Sequence, residues 1–212
     1  LFRYRGQIPV ILFITAIPVV YFTNYAWFVR SEWAHIALLL FSAVVSFLGL
    51  VIRSIAIGTS NKNTSGRNTK EQVADALNTK GIYSTMRHPL YVGNYFMWIG
   101  IVIYTMNLWF FLLVSLAFWL YYERIMFAEE RFLERKFGQD YLDWSLKVPA
   151  FIPSWKNYEK TEIPFSIKTI MRREYSGVTA TILGFLFVDF LRDWFMPGDI
   201  VYHPYYGIVL VI

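Results

Sequence analysis

The feature that most constrains this chain is the length of its apolar runs. From Gln7 to Val29 no side chain carries a charge, and from His35 to Ile57 the only charge is Arg53. A bilayer's hydrocarbon core is about 30 Å thick and is crossed by about 20 helical residues. Within it the backbone must satisfy its own hydrogen bonds, which a helix does without help from a neighbour. The two runs therefore predict membrane-spanning helices, the first kinked at Pro18 and anchored at the interface by Tyr25 and Trp27. The first run is too long for a signal-peptide core and lacks a small-residue cleavage site, so it is read as a retained span.

Further runs extend the pattern. Leu90 to Tyr104 and Leu108 to Tyr122 are separated only by Thr105-Met106-Asn107, which predicts an antiparallel helical hairpin. The second of these is expected to stay helical through Glu123 to Phe137 as it emerges into water. Gly177 to Leu191 is a fifth run. Tyr205 to Ile212 covers only about 12 Å at helical rise, so it is either a partial sixth span or the start of one that continues beyond Ile212. The expected fold is an all-α, polytopic transmembrane bundle of five clear spans with that sixth in part. It divides into a two-span region at 1–57, a core at 58–153 and a final segment at 154–212. The intervening stretch 58–80 is too polar for lipid and reads as a loop, with Glu71 to Leu77 as a short surface helix.

Charge gives the orientation. The formal net charge is +5 from 20 Lys and Arg against 15 Asp and Glu. In a chain that is 56% hydrophobic and 17% charged, against about 25% charged in a soluble domain, those cations are expected on one membrane face. Threading the spans places 17 of the 20 on one side, from Arg3 and Arg5 through the 58–89 loop to Arg173. Arg30 and Arg192 fall on the other side. By the positive-inside rule the N-terminus, the 58–89 loop and the 123–175 segment are cytoplasmic. No nucleic-acid partner is needed to explain the charge. The basic, aromatic stretch Trp155 to Tyr175 reads as lying along the anionic inner leaflet. Arg53 reads as a snorkelling anchor, and Asp189 with Arg192 at i+3 as an ion pair at the outer end of the fifth span.

With no cysteine the chain has no thiolate nucleophile and no Cys-based metal site. His35, His88 and His203 do not have metal-ligand spacing, and His35 and His203 lie on the outer side as structural residues. Chemistry is expected at two cytoplasmic places. In Gly81-Ile-Tyr83-Ser-Thr-Met-Arg87-His88-Pro89-Leu-Tyr91-Val-Gly93, Pro89 suits the first turn of a helix and pushes His88 into extended backbone. An Arg-His pair is thereby set beside helix N-H groups, which suits an anion. Gly93 lets another helix or a ligand approach closely. The second place is Glu129-Glu130, where the fourth helix leaves the membrane. The hairpin returns both to one face, where a cationic and an anionic site together suit a zwitterionic ligand.

Together with Phe137-Gly138-x-x-Tyr141 and Val148-Pro149-x-x-Ile152-Pro153, these motifs resemble the isoprenylcysteine carboxyl methyltransferase and phospholipid methyltransferase superfamily of integral membrane enzymes. The resemblance covers roughly residues 78–153, and its specificity lies in the ordered set of motifs. It implies an S-adenosylmethionine-dependent methyltransferase whose cytoplasmic cofactor pocket uses Gly81, Tyr83, Arg87, His88, Pro89, Tyr91, Gly93, Glu129 and Glu130. Arg87, His88 and Glu130 would carry the catalytic work. The acceptor would be a lipid or lipid-linked carboxylate or amine, and no metal is expected. One rival is an NADPH-dependent sterol-type membrane reductase, whose related segment is preceded by more spans. Another is a non-enzymatic transporter or scaffold, which predicts midplane charges and repeated halves.

Overall fold

The computed structural model describes residues 8–25, 32–61 and 74–196. They form six helices: α1 (Ile8–Phe22), α2 (Glu32–Gly58), α3 (Pro89–Tyr104), α4 (Leu108–Phe137), α5 (Gln139–Lys147) and α6 (Ile167–Phe195). Among the described residues there is no strand, only an isolated antiparallel bridge between Gly81 and Glu159. Arg3, Arg5, Trp27, Arg30, His203 and Tyr205 to Ile212, for which the sequence sets expectations, lie outside the described residues.

Trp33–Gly58, Leu108–Phe137 and Ile167–Phe195 are each long and apolar enough to cross a membrane, as befits an integral membrane protein. The apolar helices α1 and α3 have 15 and 16 residues, and at helical rise they cover about 22 and about 24 Å. The helix ends follow from local chemistry. Pro89 stands at the start of α3, Asn107 caps α4 by accepting from the Phe110 N-H at 2.9 Å, and Ser166 caps α6 by accepting from Thr169 N-H. Met106, at φ 57°, makes the tight turn between α3 and α4. At 30 residues, α4 is about 45 Å long, so its charged C-terminal half reaches past a bilayer core. Gly138, with φ 55°, then turns the chain into α5.

α2 and α3 make the closest seam. Gly49 and Gly93 face each other, and a Cβ on Gly93 would come within 2.5 Å of Arg53 Cγ and 2.8 Å of the Gly49 carbonyl. One helical stretch further on, Gly100 lies against Ser42 and Ser46, and the Ser46 hydroxyl donates to the Met97 carbonyl at 2.8 Å. Small residues let these backbones meet where lipid supplies no hydrophobic drive between helices. The C-termini of α2 and α4 and the N-termini of α3 and α6 come together at one end of the bundle, as the Ser166 N-H to Gly58 carbonyl bond of 3.0 Å shows directly.

Four expectations change. α1 stops at Phe22, and Tyr25 is buried with its hydroxyl donating to the Thr105 carbonyl at 2.8 Å. It is an internal strut at the far end of the bundle and not an interface anchor. Ala74 to Leu77 are not helical, and Ala74 is buried. The fifth apolar helix starts at Ile167 and not Gly177: the polar stretch before the apolar run is itself helical, with Glu174 paired to Arg53 inside the protein. The stretch Trp155 to Tyr175 is consequently a short turn at Trp155–Asn157, an extended crossing, and the first turns of α6. Arg53, finally, does not snorkel. Its Nε and Nη2 donate to both Glu174 carboxylate oxygens at 2.7 and 2.6 Å, and its Nη1 donates to the Asn94 side chain.

The expected Asp189–Arg192 contact is present, with Nη1 to Oδ1 at 3.4 Å. It belongs to a larger cluster at the far end. Tyr104 donates to Asp189, His35 Nε2 lies 2.9 Å from the Tyr104 hydroxyl, and Arg192 Nη2 donates to the Tyr104 carbonyl at 2.6 Å.

Candidate active site

The site is assembled from the segment that enters α3. Gly81, at φ 64°, occupies a left-handed conformation that other residues adopt at a cost, and its N-H donates to the Glu159 carbonyl at 2.8 Å. A turn at Ile82–Ser84 follows and brings Tyr83 into a buried cluster with Ala56, Met86 and Val92. His88 is the residue before α3 with φ −122° and ψ 54°; Pro89, which opens the helix, keeps it out of the helical region, but its ψ falls short of the extended backbone expected.

α4 runs back antiparallel and delivers two carboxylates to this point. Glu130 Oε1 accepts from His88 Nε2 at 2.8 Å and lies 3.2 Å from Arg87 Nε. Glu129 Oε2 accepts from the Tyr91 hydroxyl at 2.7 Å. Arg87 Nη1 also donates to the Ser145 carbonyl on α5 at 3.0 Å. Residues 42 and 38 apart in sequence are thus joined, as the hairpin requires. Arg87 Nε is buried and makes no hydrogen bond despite its nearness to Glu130. It is a cationic N-H with donor capacity to spare. Both glutamates are half-buried.

Aromatic rings wall the site. Tyr91 packs on Tyr122 with ring centroids 5.1 Å apart, and Phe151 lies 6.3 Å from His88 and 5.0 Å from Trp119. Burial, reinforced by the Glu129 charge, pushes the Tyr83 hydroxyl above its ordinary range. Tyr141 on α5 is pushed up to about 12 by burial and then by the Glu130 charge. Both phenols are therefore neutral near physiological pH.

Arg87, His88, Tyr91, Glu129 and Glu130 form one contact network, and Pro89 is buried beneath it as the helix start. Tyr83 stands behind, its carbonyl accepting from Trp144 Nε1 at 3.2 Å. Gly81 lies at the rim, where the nearest neighbour of an added Cβ would be Thr161 at 3.4 Å. Gly93 has its Cβ direction filled by α2, so the close approach it permits on that side is a helix's. Among the described residues no three His, Asp or Glu side chains gather into a metal-holding group.

Two supports escape sequence reasoning. The Arg87 and His88 N-H groups donate to the Pro149 and Ala150 carbonyls at 2.9 and 3.1 Å, and Ser154 N-H donates to Thr85 at 2.9 Å. These are backbone pairings across a long separation, and the Val-Pro motif was the only signal pointing to them. The Arg53–Glu174–Asn94 network joins α2, α6 and α3 directly behind the site. The run of charges around Glu174 was its only trace in the sequence.

The family model described as phospholipid methyltransferase matches residues 37–140, which takes in most of α2, all of α3 and α4, and every residue of the contact network. Among curated relatives, the protein-S-isoprenylcysteine O-methyltransferase of Tribolium castaneum is 34% identical over 116 residues, 54% of this chain and 41% of that protein. The Schizosaccharomyces pombe protein of the same name is 35% identical over 108 residues, 50% of this chain and 45% of that one. The nickel-cobalt-cadmium resistance protein NccN of Alcaligenes xylosoxydans xylosoxydans is 32% identical over 123 residues, 58% of this chain and 53% of that protein. The chain thus spans roughly half or less of the length of these relatives. No solved structure matches it. Over residues 37–140 the chain is therefore similar to the phospholipid methyltransferase family, and isoprenylcysteine O-methyltransferases are among the proteins it resembles.

Proposed function

We propose that this protein is a multi-pass membrane methyltransferase that moves a methyl group from S-adenosylmethionine to a lipid or lipid-linked carboxylate or amine. The reaction takes place at the cytoplasmic end of a bundle of five spans and a partial sixth. The observation that carries the reading is the Arg87–His88–Glu130 contact, with Tyr91–Glu129 beside it, inside the segment matched by the family. The positive-inside bias supports the orientation: Lys80, Arg87, Arg131, Arg135, Lys136, Lys147 and Lys156 all lie toward this end.

The residues present fit the cofactor. It has a carboxylate, an amine, a cationic sulfur, ribose hydroxyls and a flat base. This site offers a buried guanidinium N-H without a hydrogen bond, two half-buried carboxylates and several aromatic faces. Arg87 and His88 would hold the carboxylate, Glu129 or Glu130 the ribose or amine, and Gly81 and Tyr83 would shape the rim. When bound, S-adenosylmethionine supplies a methyl group on a sulfur that is already a cationic leaving group. The protein's task is then positioning in a partly dry pocket, where charge dispersed in the transition state is favoured over bulk water.

Each side chain has a definable part. Glu130 would pair with Arg87 and accept from His88 Nε2, fixing the direction of both side chains. Tyr91 orients Glu129. The Pro149 and Ala150 carbonyls fix the backbone from which Arg87 and His88 project. For an amine acceptor, His88 or Glu130 would take the released proton; a carboxylate acceptor releases none.

The test is binding, then product. The full chain purified in detergent is expected to bind S-adenosylmethionine or its demethylated product with micromolar-range affinity by calorimetry. His88→Ala or Glu130→Ala should weaken this at least tenfold. Absence of heat with either ligand would sink the cofactor assignment. Radiolabelled cofactor with membranes should give a lipid-soluble labelled product, whose mass identifies the acceptor.

A further inference from the structure

The segment 148–161 has two faces with different chemistry. Its inner face holds the site: Val148 is 5% exposed, Phe151 packs on His88 and Trp119, and its backbone pairs with Gly81, Thr85, Arg87 and His88. Its outer face leaves large apolar side chains uncovered. Ile152 is 81% exposed, Trp155 69% and, on the adjoining last turn of α5, Leu146 86%. Interleaved with these are Lys147, Lys156 and Lys160, all exposed. From Trp144 to Thr161 the only carboxylate is Glu159. The next one along, Glu162, is paired with Lys80 at 3.0 Å. The face is thus a net cationic surface carrying aliphatic and indole groups, and it adjoins the first turn of α6, where Ile167 and Met171 are exposed beside Lys168 and Arg172.

Alternating lysine and exposed tryptophan or isoleucine matches one surface chemistry, an anionic lipid leaflet. Each ammonium near such a surface is favoured, and the apolar groups enter the acyl boundary. We propose that the α5–α6 strap docks on anionic lipid headgroups and that this docking orders the Arg87–His88 segment through the strap's backbone hydrogen bonds. The link is mechanical. Freeing the strap releases the carbonyl partners of the Arg87 and His88 N-H groups, whereas pinning its outer face holds them. The inference deepens the reading of this end as the working end, since it makes anionic lipid a regulator of the same site.

Hydrogen–deuterium exchange of the full chain in nanodiscs tests it without any cofactor. Nanodiscs of phosphatidylcholine alone are compared with a phosphatidylcholine–phosphatidylglycerol mixture. Because both leaflets carry the anionic lipid, the result does not depend on orientation. Amides of residues 81–88 and 154–159 are expected to exchange several-fold more slowly in the anionic discs, while those of α2 and α3 do not change. In Lys147→Gln/Lys156→Gln/Lys160→Gln the lipid dependence should fall, by about fivefold in affinity for each cation removed, with unchanged helix content by circular dichroism. Equal exchange of wild type in the two lipids overturns the proposal and needs no variant to interpret. If lipid-dependent protection is seen but no S-adenosylmethionine binds in either disc, the lipid inference stands and the methyl-transfer reading falls.

Discussion

Glu130 is the residue on which the site turns, because it touches the Arg87 guanidinium and the His88 ring at once. A half-buried carboxylate facing Arg87 and His88 can be replaced by glutamine at nearly the same volume, and Glu130→Gln leaves Arg87 without its counter-charge and His88 with a neutral partner. The expected outcome is at least a tenfold loss of cofactor affinity, and a lower unfolding temperature in detergent. Glu129 is held more lightly. Tyr91→Phe removes one hydrogen bond to a charged group, which is worth about 1.5 kcal/mol, so kcat/KM should fall about tenfold with the unfolding temperature little changed. If steady-state kinetics shows Tyr91→Phe indistinguishable from wild type, Glu129 is not oriented by this contact. The part of the site that was legible is the part with local grammar. Proline fixes a helix start and keeps the residue before it out of the helix, and a hairpin of three linking residues returns Glu129 and Glu130 to the same face. Arg53 and Glu174 were not legible, because they stand 121 residues apart and no local rule pairs them. The same holds for Pro149 and Ala150, which act through backbone atoms their side chains do not advertise.

At the scale of elements, two devices hold the helices, and they fail differently. The first is the small-residue seam between α2 and α3. Gly93→Ala forces a methyl into Arg53 Cγ and the Gly49 carbonyl, an overpacking that costs about 1–3 kcal/mol. Gly138→Ala meets nothing within 4 Å and carries only the left-handed backbone cost of about 1–2 kcal/mol, at the joint between α4 and α5. Gly93→Ala should therefore lower thermal stability of the whole bundle, and Gly138→Ala should loosen α5 with less effect on the spans, as exchange or limited proteolysis would separate. The second device is the Arg53–Glu174 pair, whose carboxylate is 3% exposed. Glu174→Ala strands a half-buried guanidinium and is expected to cost about 3–5 kcal/mol, whereas Arg53→Met/Glu174→Leu should recover most of it. A double variant as unstable as the single one would mean that the pair does more than neutralise itself. Helix existence was legible from apolar length. Helix ends were less so: α6 begins ten residues before the apolar run, at a Ser166 cap in a polar stretch that apolar length does not mark.

For the whole molecule the decisive quantity is which end faces which compartment. The two ends differ in kind. At one lie Arg87, Glu130 and the strap with Lys147, Lys156 and Lys160; at the other, Tyr25, Tyr104, Asp189 and Arg192 form a buried cluster in which Arg192 is held by an internal carboxylate and carbonyl. The excess of Lys and Arg at the site end over the far end supports the proposed placement of the site end in the cytoplasm. The absence of cysteine from the sequence makes this directly measurable, since any introduced thiol is the only one present. Lys156→Cys places a thiol on the exposed strap, and Asn24→Cys places one beyond the end of α1, also exposed. In intact cells a membrane-impermeant maleimide is expected to label Asn24→Cys and spare Lys156→Cys; after permeabilisation both should react. Labelling of Lys156→Cys from outside would invert the bundle, put the candidate site on the outer face away from a cytoplasmic cofactor pool, and remove S-adenosylmethionine from consideration whatever the family match implies.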